Sequence, residues 1–415
     1  MTLKTFSRPL AGAALALSAF ALPLAFAETE APPPPASPRQ AAPAPTQAPP
    51  PPKAEPSPPP APVSQQERPR IDLVFVLDTT GSMSGLLEGA KQKIFSIASR
   101  IAQGKPTPRV RVGLVAYRDV GDTYVTKRFE LTEDLDSLFT QLRKLDADGG
   151  GDTPEHVGQG LGEAVSKLSW DEKRETMKLL FLVGDAPPAE RQDNWNFKHW
   201  VKKAAEKHIV VNTVRCGGDA ETETHWKYAA KTTDGRYESL SQTGGMVAVA
   251  TPYDDELSKV NAELASKVVY AGKREAREEN RARAAQVAEL APEAAAERIQ
   301  FLKTTRGVGK AAPAAVSSAP VVVGGAVDLT AKPEALASVK DDELPPELRA
   351  LDAKEREAKV KQLAQERKAL EEKAASLAAA RDTWRAKNVA EKEDAFDANV
   401  MRGVKAKAAK HGLSY

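Results

Sequence analysis

The stretch Ile71-Asp72-Leu73-Val74-Phe75-Val76-Leu77-Asp78-Thr79-Thr80-Gly81-Ser82-Met83-Ser84 decides how this chain folds. Its first seven residues are almost continuously apolar and rich in branched side chains, the pattern of a parallel strand buried on both faces. The run ends on Asp78 and passes at once into hydroxyls. In open α/β sheets, ligands bind at the carboxyl ends of strands. Asp78, Thr80 and Ser82 therefore stand where chemistry is expected, with Gly81 allowing a tight turn between them.

Outward from this strand, strands and helices alternate. The pattern predicts a helix over 84–103 and strands over 110–117 and 123–131, paired antiparallel. It continues with helices over 135–145 and 155–168, a strand over 178–183, a helix over 194–207 and a strand over 209–214. A helix over 225–232, a short strand over 236–240 and a closing helix over 254–270 complete it. Alternation of this kind specifies a doubly wound α/β sheet with helices on both faces.

Two more loops have matching chemistry. Gly149-Gly150-Gly151-Asp152-Thr153-Pro154-Glu155 is glycine-rich and opens a helix, and Gly184-Asp185 follows the apolar run Leu179-Leu180-Phe181-Leu182-Val183. Three loops at one sheet edge can thus offer Asp78, Thr80, Ser82, Thr153 and Asp185. All are oxygen ligands, which suits a hard cation such as magnesium, manganese or calcium.

The order Asp-x-Thr-x-Ser, a later Thr after a glycine-rich loop and an Asp after a buried strand resembles the metal-ion-dependent adhesion site of von Willebrand factor type A (VWA) domains. Thr80 stands where that family more often has Ser and keeps the hydroxyl. The tracts Tyr117-Arg118-Asp119, Gly151 to Glu155 and Gly184-Asp185-Ala186-Pro187-Pro188 are similar to an exported bacterial branch of the family. The resemblance covers 71–270 and implies a Rossmann-like fold holding one divalent metal ion, magnesium first, at Asp78, Thr80, Ser82, Thr153 and Asp185. Only two of these ligands are carboxylates, so the ion stays electrophilic. The resemblance implies that an acidic residue of a protein partner completes its coordination, in an adhesion or scaffold module that is not an enzyme.

Two other functions compete. One is a structural cell-envelope protein acting mainly through its helical C-terminal region. The other is a metal-dependent phosphohydrolase with an Asp nucleophile, but the second Asp that such enzymes use two residues later is Thr80 here. No Gly-x-Gly-x-x-Gly follows the first strand, and Gly307-Val308-Gly309-Lys310 lacks the Walker spacing. His156, near Thr153, reads as a helix-surface residue, with a place at the border of the site as the alternative. Trp195, Phe197 and Trp200 read as helix packing, with a partner-binding rim as the alternative. Cys216, the only cysteine, reads as a buried inert thiol.

The flanks differ in texture. Residues 1–27 read as a signal peptide: Lys4 and Arg8, an apolar run from Leu10 to Leu24, then Ala25-Phe26-Ala27. Export places the protein in the periplasm or outside the cell, with no membrane span left after cleavage. Residues 28–70 are a Pro/Ala-rich spacer with too few large apolar residues to offset the entropy of folding. Beyond the domain, 271–303 reads as an exposed helical extension and 304–344 as a loose connector in which Val321-Val322-Val323 could add an edge strand. Residues 345–415 read as charged helix. There Leu363, Leu370, Leu377 and Trp384 recur every seven residues, half of a coiled-coil seam. The companion positions Val360, Arg367, Ala374 and Arg381 are poor seam residues, so a single helix or an antiparallel hairpin is expected. With 59 basic and 57 acidic residues, the net charge makes no case for nucleic acid.

Overall fold

In a computed structural model of the chain, the structure describes residues 68–151, 153–190, 194–241, 250–306, 322–388 and 395–415. The expected signal peptide, residues 28–67 of the expected spacer, Asp152 and the Gly307–Lys310 tract lie outside the described residues.

Six strands form the central sheet: β1 (Arg70–Asp78), β2 (Arg109–Tyr117), β3 (Thr126–Thr132), β4 (Met177–Gly184), β5 (Ile209–Cys216) and β6 (Tyr237–Leu240). Their spatial order is β3-β2-β1-β4-β5-β6. β1 lies at the centre, parallel to β2 and β4, and β3 pairs antiparallel with β2. The helices joining them are α1 (Ser84–Ala102), α2 (Leu135–Leu142), α3 (Val157–Lys167), α4 (Phe197–Glu206), α5 (Ala220–Thr232) and α6 (Asp254–Ser266). This is the doubly wound α/β fold that the sequence specifies.

The pleat of β1 sorts its side chains onto two cores. Leu73, Phe75 and Leu77 meet α1 and α2, while Val74 and Val76 meet α3 and α4. Burial on both faces is why the strand reads as a continuous apolar run rather than an alternating one. Cys216 is buried in the first of these cores, and burial pushes its thiol pKa up.

The closing helix stops at Ser266, and the chain continues into β7 (Tyr270–Ala271), which pairs antiparallel with β8 (Val327–Asp328). The expected edge strand at 321–323 is not the one that forms. Val321 lies outside the described residues, Val322 and Val323 are not in a strand, and the pairing uses 327–328 instead.

The C-terminal region comprises α7 (Arg274–Ala288), α8 (Pro292–Arg306), the short α9 (Pro346–Arg349), α10 (Ala353–Asn388) and α11 (Ala395–Ala408). The second half of the extension expected to be exposed is instead buried. Ala295, Ala296, Ile299, Phe301 and Leu302 of α8 are buried, and the helix packs on α1 and α6. Val400, Met401, Val404 and Ala408 of α11 belong to the same apolar cluster as Met177 and Leu179 of β4.

α10 is one continuous helix. The positions that read as poor seam residues, Val360, Arg367, Ala374 and Arg381, are among its most buried ones. Burial of two arginines is possible because each meets carboxylates. Arg381 Nε donates to Asp254 Oδ1 at 2.7 Å and its Nη1 to Glu297 Oε1 at 2.9 Å. Arg367 Nη1 donates to Asp328 Oδ2 at 2.5 Å and its Nε to Glu371 Oε1 at 3.0 Å. On α8, Arg298 forks onto both oxygens of Asp136 at 2.6 and 2.7 Å and reaches Asn261 Oδ1.

Candidate metal centre

The site lies at the carboxyl ends of β1 and β4, where two strands buried on both faces run out together. Asp78 is the last residue of β1 and is 1% exposed. Its Oδ1 accepts from the Thr80 backbone N–H at 2.9 Å and from Thr80 Oγ1 at 2.7 Å. Thr80 Oγ1 and Ser82 Oγ stand 3.2 Å apart. The Asp-x-Thr-x-Ser spacing thus draws all three side chains together. Asp185 directly follows β4, the strand beside β1.

Backbone bonds stitch the three loops into one platform. Gly81 N–H donates to Gly149 O at 3.1 Å and Asp148 N–H to Thr79 O at 3.1 Å. Glu155 N–H donates to Pro187 O at 3.0 Å, and Ala189 N–H returns to Glu155 O at 2.7 Å. Gly81 is favoured by this close approach rather than by a turn: a Cβ there would stand 3.2 Å from Gly149 O, tighter than an ordinary contact. Gly150 is required twice over. Its φ is +69°, and a Cβ would stand 2.7 Å from Thr80 Cβ.

Arg118, in the tract after β2, braces the platform. Its Nε donates to Thr79 O at 3.0 Å and its Nη2 to Asp146 O at 2.7 Å, and its guanidinium lies 4.4 Å from the Tyr124 ring centroid. Asp122 accepts from the Gly150 and Asp119 backbone N–H groups.

The electrostatics follow from burial. Burial and then the Asp185 charge push the Asp78 carboxyl up, the Thr80 hydrogen bonds pull it back, and the balance lies at about 7. Asp78 Oδ2 has no hydrogen-bond partner. Glu155, named in the sequence only as the residue opening a helix, is buried at the same edge. Burial and then the charges of Asp78, Asp119, Asp122 and Asp185 push its carboxyl up to about 8. Its Oε2 also lacks a partner. The only signal of Glu155 in the sequence is its place in the glycine-rich tract, just before a buried helix.

The five expected ligands are therefore placed unequally. Asp78, Thr80 and Ser82 are in mutual contact or nearly so, and Asp185 acts on Asp78 through its charge. Thr153 is exposed on the glycine-rich loop and shares no hydrogen bond with the other four. Among the described residues, no group of three or more His, Cys, Asp and Glu is gathered closely enough to hold a metal ion. A cation at this edge must draw on two carboxylates and on hydroxyls, and the orphaned Oδ2 of Asp78 fits that demand. His156 is not the surface residue expected: it is buried, and its N–H donates to Arg118 O. Trp195 and Trp200 stack on each other over Gly162 of α3, and Phe197 stacks on Trp226. Helix packing therefore accounts for these aromatics.

Residues 72–252 match the family model described as von Willebrand factor A domain. The chain is 39% identical over 122 residues to von Willebrand factor A domain-containing protein 7 of Homo sapiens and 40% identical over 122 residues to that of Rattus norvegicus. Each match covers 29% of this chain, and the chain spans 12% of the length of these curated relatives. Among solved structures, the SpRpn10 VWA domain aligns at 15% identity and a TM-score of 0.33, covering 42% of this chain and 88% of that one. Proximal thread matrix protein 1 from the mussel byssus, with a zinc occupied MIDAS motif, aligns at 15% identity and a TM-score of 0.33, covering 42% of both chains.

Proposed function

We propose that this VWA-domain chain is an exported protein-binding module whose metal-ion-dependent adhesion site captures an acidic residue of a protein partner. The observation that carries the reading is a buried carboxylate, Asp78, one oxygen of which is bonded to Thr80 while the other has no partner. A buried acceptor left unsatisfied is costly unless a proton or a cation completes it. Asp78 and Asp185 would hold a divalent cation with the hydroxyls of Thr80, Ser82 and Thr153, and magnesium suits this all-oxygen set best. Such an ion supplies an electrophilic position that a carboxylate can occupy. Thr153, exposed on its loop, is the ligand with most freedom to move toward the others.

The protein acts by binding and not by catalysis in this reading, because Thr80 holds the place of a general acid and donates its hydroxyl to Asp78 instead. Localisation in the periplasm or outside the cell rests on the signal-like residues 1–27. Among the described residues, no helix is long and apolar enough to cross a membrane.

The test is partner capture from envelope extract by wild type and Asp78→Ala, with magnesium and with chelator. Chelation and the substitution are expected to weaken capture of the same partner equally. Capture that survives both would remove the proposed role of the ion.

A further inference from the structure

The amino ends of the strands carry the opposite charge. A cavity of about 550 Å³ opens where β4 and β5 begin, and it is lined by Arg174, Lys178, Lys407 and Lys410 together with His208 and His411. Its one acidic residue, Asp234, is ion-paired to Lys407. Four segments distant in the chain converge here: the loop before β4 with the start of that strand, the turn between α4 and β5, the end of α5 and the C-terminal tail.

Cations near the ends of α4 and α5 have an ordinary explanation, since helix C-terminal carbonyls attract positive charge. That explanation covers the exposed lysines at the mouth and fails at Lys178. This residue is the only charged side chain in β4, Met-Lys-Leu-Leu-Phe-Leu-Val-Gly, and it is 9% exposed. Among the described residues it has no hydrogen-bond or ion-pair partner. The carboxylate beside it in the sheet register is Asp72. Both oxygens of Asp72 are taken by Arg111 at 2.8 and 2.6 Å, with a further bond from the Asp171 N–H. The Lys178 stem is covered and its ammonium reaches the wall of a cavity lined by other cations, where an anion would complete it. The ring is also partly fixed in place. His411 Nδ1 donates to Glu175 O at 2.8 Å, and Arg174 Nη2 lies 3.4 Å from His208 Nε2.

We infer that this cavity binds a multiply charged phosphate group, carried by a free small molecule or by a lipid headgroup. Three Arg and Lys charges remain beyond the Lys407–Asp234 pair, and together they select a multivalent anion. Arg and Lys converging from several directions supply the N–H donors that phosphate oxygens accept. The cavity exceeds a bare oxyanion and falls in the ordinary range for small-molecule sites, roughly 300–1,000 Å³.

The probe is sodium pyrophosphate, titrated calorimetrically into the metal-free full chain with sodium sulfate as the ionic control. Wild type is expected to bind pyrophosphate at least about tenfold more tightly than sulfate. Lys178→Met and, separately, the exposed Lys410→Glu are each expected to weaken it about tenfold or more. Asp78→Ala, at the far end of the strands, is expected to bind as wild type does. Because Lys410→Glu leaves the core untouched, it keeps the test valid even where Lys178→Met lowers stability. Co-sedimentation with phosphatidic acid vesicles that pyrophosphate displaces would assign the group to a lipid headgroup; pyrophosphate binding without co-sedimentation would assign it to a soluble ligand. No pyrophosphate binding, or binding that both lysine variants leave unchanged, overturns the inference.

Discussion

Two regions of this molecule bury charge, and they do so in opposite ways. In the C-terminal helices, Arg298, Arg367 and Arg381 are buried, and each lies against carboxylates at hydrogen-bond distance. At the carboxyl ends of β1 and β4, Asp78 and Glu155 are equally buried, yet each keeps an oxygen without a partner. The first arrangement sets opposite charges against each other and acts as a clamp between distant parts of the chain. The second is incomplete, and like-charged neighbours make it more so. Burial of charge does not by itself distinguish structure from function; whether the protein satisfies that charge internally does.

The sharpest way to break this comparison is to remove one charge from the clamp. Arg381→Ala leaves Asp254 and Glu297 buried without their main counter-ion, although Arg385 also reaches Glu297. Breaking a buried pair from one side typically costs about 3–5 kcal/mol. A loss of that size in urea denaturation is expected, and a loss under about 1 kcal/mol would mean that the helices are not clamped this way.

An effect of comparable size is expected from pH, and it belongs to the other region. The folded-state values of Asp78 and Glu155 lie above the ordinary carboxylate range, at about 7 and about 8. The folded protein therefore holds protons that the unfolded chain has already released. That contribution is fully present below about pH 4 and is lost as pH rises through 7 to 8. The metal-free protein is expected to melt roughly 5 °C or more lower at pH 8 than at pH 5 from this source. Saturating magnesium should remove most of the difference by supplying the missing positive charge. A metal-free melting temperature that rises over the same interval, with no response to magnesium, would contradict the account.

The smallest change in stability is expected where the largest change in binding lies. Asp78→Ala removes a buried carboxylate that has no cationic partner, so metal-free stability should stay within about 1 kcal/mol of wild type or rise. Glu155→Gln should act in the same direction and flatten the pH response from its upper end. A large destabilisation by either substitution, read by thermal melting in chelator, would place that carboxylate with the clamps.

Much of the fold was legible because its signals are local. An uninterrupted apolar strand ending in Asp78 and hydroxyls fixes both the sheet and the edge where ligands bind. The short spacing between 117 and 126 fixes β3 as the antiparallel edge. The C-terminal region was not legible in the same way. Its heptad of leucines marked half of the buried stripe of α10, and the other half, three residues before each heptad member, includes Arg367 and Arg381. An arginine reads as solvent-facing until its partners are known. Asp254, Glu297 and Asp328 come from segments that only the tertiary fold brings together. Nor does composition show that α11 closes the core beside β4. Within the site, the Asp-x-Thr-x-Ser spacing alone brought Asp78, Thr80 and Ser82 together, because three residues on one turn need no long-range information. Glu155 escaped notice because its burial depends on the bonds between its loop and Pro187.

The central claim is that the charge at the carboxyl ends of β1 and β4 is left incomplete for a divalent cation. Calorimetric titration of magnesium, manganese and calcium into wild type and Asp78→Ala tests it most directly. The account predicts one ion per wild-type chain, proton release on binding near pH 7, and no detectable binding to a folded Asp78→Ala protein. Equal affinity in the two proteins, or no binding to wild type by any of the three ions, would contradict it.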